Sequence, residues 1–190
     1  MSKTLSFKVS NSLTLTLQKL WANIEVRAGS AGNVTVELKG DDKLLEEIKV
    51  TQPKPDEILI KGSGEGGSLT VIQSGNSSSI SVGNIRGGLV VSNDLVIVNG
   101  KVISGGDNVK VIKGDEIPTI IITVPQETDL VVYDVTSIDS KGLGGKLNVS
   151  LSGQGKAVVE SAKGMKLRCS GQSSIQVTKA TGDLKASTSG

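Results

Sequence analysis

Apolar and polar residues alternate along most of this chain. In SLTLTLQ, residues Leu13, Leu15 and Leu17 share one side of an extended backbone. NIEVRAG does the same with Ile24 and Val26, and NVTVELKG with Val34, Val36 and Leu38. EEIKV and EILIKG continue the pattern. A period of two over about four to eight residues, bounded by Gly, Asn, Asp or Ser, predicts half-buried strands. One segment breaks it. DDKLLEEI, residues 41–48, starts on Asp and spaces Leu44, Leu45 and Ile48 as a short helix would. Its acidic pairs lack the ligand spacing of a calcium loop, so a solvated helical turn is expected there.

GSGEGGS, residues 62–68, reads as a flexible connector. It lacks the Lys-Ser/Thr and the following helix of a phosphate loop. Beyond it, SLTVIQSG, SSISVGN and GGLVVSN predict further short strands. LVIVNGKVIS predicts a hairpin, because Asn99-Gly100 supplies the two positive φ values of a type I′ turn between apolar runs. IPTIIITVP predicts a largely apolar strand held between Pro118 and Pro125.

The last third repeats itself. GKLNVSLSG, GMKLRCSG and GDLKASTSG begin at Gly145, Gly164 and Gly182 and end on the Ser-Gly pairs closing at Gly153, Gly171 and Gly190. Between them, KAVVES and SIQVTK align Ala157 with Ile175 and Val159 with Val177. A period near 20 with two or three short strands predicts a solenoid. One turn of chain cannot bury its inward face alone, but stacked turns bury a continuous ladder of Val, Ile and Leu. Recurrent Ser-Gly then marks a recurrent corner, where Gly admits a tight bend with backbone close to backbone. The fold expected is all-β: a right-handed β-helix or solenoid-like stack of short strands, preceded by N-terminal antiparallel strands and hairpins. Its divisions fall at 1–62 (N-terminal strands), 63–116 (Gly/Ser-rich strands and the hairpin) and 117–190 (repeated coils), read as one continuous elongated unit. The final STSG brings no polar helix or irregular lid to cap the stack.

Composition narrows the chemistry. The aromatic residues are Phe7, Trp21 and Tyr133 alone, so a core must be thin and aliphatic. The 21 basic and 19 acidic residues are interspersed. That pattern, with so few rings for stacking, argues against nucleic acid. Histidine is absent, which removes an imidazole base, a Ser-His-Asp triad and a histidine-bearing zinc site from a single chain. Cys169 is the sole cysteine, so no intramolecular disulfide can form, and KLRCSG places it as a small strand filler. No apolar run is long enough to span a membrane, and the N-terminal residues lack a signal-peptide pattern. Asn33, Asn76 and Asn148 begin glycosylation triplets that a Ser/Thr-rich chain produces by chance.

PTIIITVPQETDLVVYDVTS, GKLNVSLSGQGKAVVE and the Ser-Gly coils, together with the opening strands LTLQKLWANIEVRAG and EILIKG, resemble the auto-transporter adhesin head GIN domain family and related adhesin-like β-helix domains of unknown function. Residues 62–116 match that pattern least. The resemblance implies a stack of strands, often exported, with a role in surface binding. It implies a place at the cell surface or in the periplasm if an export signal has been removed; without one, the expectation is a cytoplasmic place. It carries over no catalytic residues.

Three functions follow as expectations. The first is a non-enzymatic, adhesin-like binding module that presents flat β-helix faces to a repetitive ligand, a glycan or a protein at a surface. The alternative is a structural scaffold that self-associates through its coil ends, since ladder edges pair between chains. The third, a carbohydrate-active β-helix enzyme, needs a cluster of carboxylates, or Arg with Asp, on one face together with sugar-stacking rings; Asp134, Asp139 and Arg168 are the groups at hand. No catalytic, metal-binding or cofactor-binding residues are assigned, and no cofactor is expected.

Overall fold

The computed structural model describes residues 2–10, 12–63, 69–74, 77–82, 89–92, 95–98, 101–104, 117–153 and 155–189, with the backbone alone described for the strands of 69–104. The chain forms two compact units, one from Met1–Gly64 and Pro118–Gly190, the other from Glu65–Ile117. Strands dominate both.

In the first unit the strands are β1 (Ser2–Lys8), β2 (Thr14–Gly29), β3 (Asn33–Lys39), β4 (Lys49–Lys54) and β5 (Glu57–Lys61), with one short helix, α1 (Asp42–Glu46), in the segment expected to be helical. The second unit holds β6 (Leu69–Ser74), β7 (Ser77–Val82), β8 (Leu89–Ser92), β9 (Leu95–Val98) and β10 (Lys101–Ser104). The chain then returns to the first unit with β11 (Thr119–Pro125), β12 (Asp129–Lys141), β13 (Leu147–Leu151), β14 (Lys156–Ser170) and β15 (Ser174–Ser189).

Within the second unit β6 and β7 pair antiparallel, and β8, β9 and β10 form an antiparallel meander. Val98 pairs with Lys101, which is the register of a two-residue hairpin turn. Asn99 and Gly100 themselves lie outside the described residues.

All ten strands of the first unit belong to one sheet. Its long strands bend midway, so each serves two ladders. The first ladder runs β4, β5, the first half of β2, the first half of β12, β13, the second half of β14 and the second half of β15. The second runs β1, β3, β11, the second half of β2, the second half of β12, and the first halves of β14 and β15. Parallel partners in the later rungs lie 18 or 19 residues apart: Lys156 pairs with Ser174, and Met165 with Leu184.

The alternating apolar residues fill the space inside the ladders. One row passes through Ile58, Leu15, Leu130, Leu147 and Met165, and another through Leu38, Ile120, Ile24, Ile138 and Ala157; all are buried. Each fully buried aliphatic side chain contributes roughly 1.5–3 kcal/mol. These rows are long because every rung adds one member to each. Burial declines at β15, where Ile175 and Val177 are half-buried and Leu184 is 56% exposed.

Two features differ from a local reading of the sequence. β1, β3 and β4 pair antiparallel with their neighbours, as expected of the N-terminal part. β2 and β5 instead pair parallel, and β2 lies as a rung between β11 and β12. The N-terminal segment therefore completes the ladders of the C-terminal segment. Long-range parallel pairing of this kind leaves no local periodic signature, because the strand alternates identically whatever its neighbour.

The Ser-Gly corners are as the repeat suggests. Gly153 and Gly171 both hold positive φ, at 79° and 71°. A Cβ on Gly171 would sit 3.0 Å from the Gly153 carbonyl oxygen, so only glycine fits the stacked corner. The Gln172 amide donates to that same oxygen at 2.8 Å. Ser173 Oγ donates to the carbonyls of Leu151 and Ser170, tying one rung to the next.

Candidate functional site

The residues that alternate with the core point outward and make two faces. Their charges are arranged differently.

On the second ladder, Glu37, Ile121, Glu25, Asp139, Val158 and Gln176 form one outward row. Its charges are neutralised in place. Arg27 donates through Nε and Nη2 to the two carboxylate oxygens of Glu25, at 2.7 and 2.6 Å. Lys141 lies 3.0 Å from Asp139 and 4.0 Å from Glu25, and Lys39 lies 3.0 Å from Glu37. The Arg27 hydrogen bond holds the Glu25 carboxyl below its usual range, against a smaller desolvation penalty and with help from the charges of Arg27 and Lys141. The same hydrogen bond raises Arg27. Lys141 is raised first by its bond to Asp139 and then by that residue's charge.

On the first ladder, Leu59, Thr16, Val131, Asn148, Lys166 and Lys185 share one outward row. The adjacent row holds Lys61, Gln18, Tyr133, Ser150, Arg168 and Ser187. Lys166, Arg168 and Lys185 are exposed, and among the described residues none forms an ion pair. Asp183 is two residues from Lys185 without pairing to it. Tyr133 is 37% exposed and stands in the row of Arg168, two strands away with Ser150 between them. The repeat carries a signal for this row: GMKLRCSG and GDLKASTSG align Lys166 with Lys185 at an offset of 19. The preceding half-rungs are offset by 18, and the extra residue is taken up in a register shift between Lys163 and Met165.

The groups considered for glycoside chemistry are dispersed. Asp134 sits at the bend of β12 with a φ of 49°, and its Oδ1 accepts from the Ser152 amide at 3.1 Å and from Ser152 Oγ at 2.6 Å. Asp139 lies on the second ladder beside Lys141, whereas Arg168 lies on the first. Cys169 is half-buried between Leu151 and Thr188 rather than fully buried. Asn33 is exposed at the start of β3, Asn148 is half-buried on β13, and Asn76 falls outside the described residues.

Ser140 points inward between Val26 and Val159 and is buried, and its Oγ has no hydrogen-bond partner. The space around it, bounded by Leu130, Leu143, Val159 and Ala162, is too small for a water molecule. Among the described residues, no three of Cys, Asp and Glu gather closely enough to hold a metal ion, and no helix is long and apolar enough to cross a membrane.

No family model and no curated protein matches the chain. Similar solved structures include a proposed cell adhesion protein of Clostridium sporogenes, 11% identical over 99% of this chain and 98% of that one, with a TM-score of 0.33. A proposed adhesin of Bacteroides fragilis is 12% identical over 99% and 97%, with a TM-score of 0.32. A proposed lipid-binding protein of Parabacteroides distasonis is 11% identical over 100% and 97%, with a TM-score of 0.29.

Proposed function

We propose that this protein is a non-enzymatic binding module whose working surface is the outward face of the first ladder. One observation carries the reading. Tyr133, Ser150, Arg168 and Ser187 stand in a single line across successive rungs, at steps of about 4.8 Å. Such a line meets an extended, repetitive ligand with one side chain per rung, each making a weak contact that adds to the others. A glycan or a protein at a surface has that form. The rungs are read as a β-helix wound right-handed, the hand that parallel crossovers take in nearly all sheets. The adhesins among the similar structures agree with this reading, but at their TM-scores they carry none of its weight.

Catalysis and binding separate in one experiment. The protein is incubated with a panel of soluble polysaccharides, and both retention and chain length are measured. Retention with chain length unchanged is expected. Shortening of any chain would overturn the non-enzymatic reading, and absence of retention on every polysaccharide and on immobilised surface proteins would overturn binding.

A second reading is self-association through β15. Leu184, in line with the buried Met165, is 56% exposed, and β15 pairs only with β14 among the described strands. Molar mass that grows with concentration, and that falls to the monomer value in Leu184→Lys, would favour it. A constant monomer mass would exclude it.

A further inference from the structure

We infer that the ligand of the first-ladder face is an acidic polysaccharide, bound at Lys166, Arg168 and Lys185; the inference rests on the reading of that face as a binding surface. The two faces supply the contrast. On the second ladder Arg27, Lys39 and Lys141 each face a carboxylate within 3.0 Å. On the first, Lys166 and Lys185 are direct neighbours in one row with Arg168 in the next. Among the described residues none of the three forms an ion pair, even with Asp183, two residues from Lys185. Like charges side by side on adjacent strands destabilise a sheet. A polyanion crossing the rungs removes that cost by placing its charges between them, and its affinity therefore includes the relief of the repulsion.

The groups around the cations select the class of polyanion. Asn148, Ser150 and Ser187 offer amide and hydroxyl groups in the same two rows, which suit the hydroxyls of a sugar. Tyr133 offers one exposed ring at the margin. Single-stranded nucleic acid calls for successive aromatic platforms, and the face has one. A bilayer calls for apolar residues that enter the headgroup layer beside the basic ones. In the two outward rows the neighbours of Lys166, Arg168 and Lys185 are Asn148, Ser150 and Ser187, and the exposed Leu184 lies on the opposite side of β15, in line with Met165.

The probes are polygalacturonate and heparin, with neutral dextran, phosphatidylserine vesicles and a single-stranded oligonucleotide as comparisons. Affinities are measured at several salt concentrations for the intact chain and two variants. One is Lys166→Gln/Arg168→Gln/Lys185→Gln. The other is Arg27→Gln/Lys39→Gln/Lys141→Gln, which removes the same number of positive charges from the second ladder. The acidic polysaccharides are expected to bind with an affinity that falls as salt rises. The first variant should lose at least about tenfold and most of the salt dependence, while the second stays within about twofold. Equal losses in both variants would overturn the site, since net charge alone would then explain binding. Tighter binding of vesicles or oligonucleotide than of either polysaccharide would overturn the ligand class. Binding of neutral dextran that persists in the first variant would overturn this inference while leaving the binding module standing. All these side chains are exposed, and melting curves of the variants establish that the fold is retained.

Discussion

Lys19 and Asp134 face each other at one corner of neighbouring rungs, and both hold their backbone at positive φ, 52° and 49°. Their flanking residues pair in register, Gln18 with Tyr133 and Leu20 with Val135. β2 and β12 turn there from the first ladder into the second. A left-handed conformation costs a non-glycine residue roughly 1–2 kcal/mol. Asp134 recovers part of that through its two hydrogen bonds to Ser152, whereas Lys19 is exposed.

Lys19→Gly should therefore stabilise the protein by about 0.5 kcal/mol, the relief of strain exceeding the entropy glycine adds to the unfolded chain. Asp134→Gly should give no gain, because the bonds to Ser152 are lost with the strain. Urea denaturation of the two variants checks the ranking, and a larger gain at Asp134 would contradict it.

Val159→Asp should destabilise by at least about 3 kcal/mol, since it buries a charge without a partner. Val159 is 1% exposed, whereas Val177, its partner on β15, is only half-buried. Val177→Asp should therefore cost clearly less. Thermal unfolding of both variants tests the decline of burial toward β15, and equal losses would contradict it.

Ser140→Val should stabilise by about 1 kcal/mol. It removes a buried hydroxyl that has no partner and continues the row of Val26, Val159 and Val177. A loss of stability in denaturant melts would mean that the hydroxyl is satisfied in solution.

Acid should weaken the second ladder through Glu25. Its folded pKa is depressed, so the stability it contributes is present above its unfolded pKa and is lost as pH falls through the folded value. The loss should be small, because the pair is exposed, and salt should reduce it. Melting temperatures of the intact chain and of Glu25→Gln, followed from neutral pH downward, should converge in acid. A gap that persists below the folded pKa would contradict the linkage.

The strands and the repeat were legible in the sequence because both are local. Leu13, Leu15 and Leu17 are buried as their alternation requires, and Ala157 and Val159 pair with Ile175 and Val177 as the repeat aligns them. The place of β2 was not legible. Nothing in TLTLQKLWANIEVRAG distinguishes a strand beside its sequence neighbour from one inserted between β11 and β12. The bends at Lys19 and Asp134 were hidden too, since neither is the glycine that marks such a corner elsewhere.

The basic face was half legible. The offset of 19 that aligns Lys166 with Lys185 is present in the repeat. Its meaning depends on a register shift that only the paired strands reveal, and on Lys166, Arg168 and Lys185 forming no ion pair among the described residues although Asp183 lies two residues from Lys185.

Both ladders run unbroken from the N-terminal to the C-terminal strands only if β2 is a rung of each. Amide hydrogen exchange in the intact protein tests this directly. The amides of Leu15, Leu17, Ile24 and Val26 should exchange as slowly as those of Val132 and Ile138 on β12, and only through global unfolding. If the β2 amides exchanged far faster than those of β12, β2 would not be a rung, and the ladders would lose the strand that joins β5 and β11 to β12.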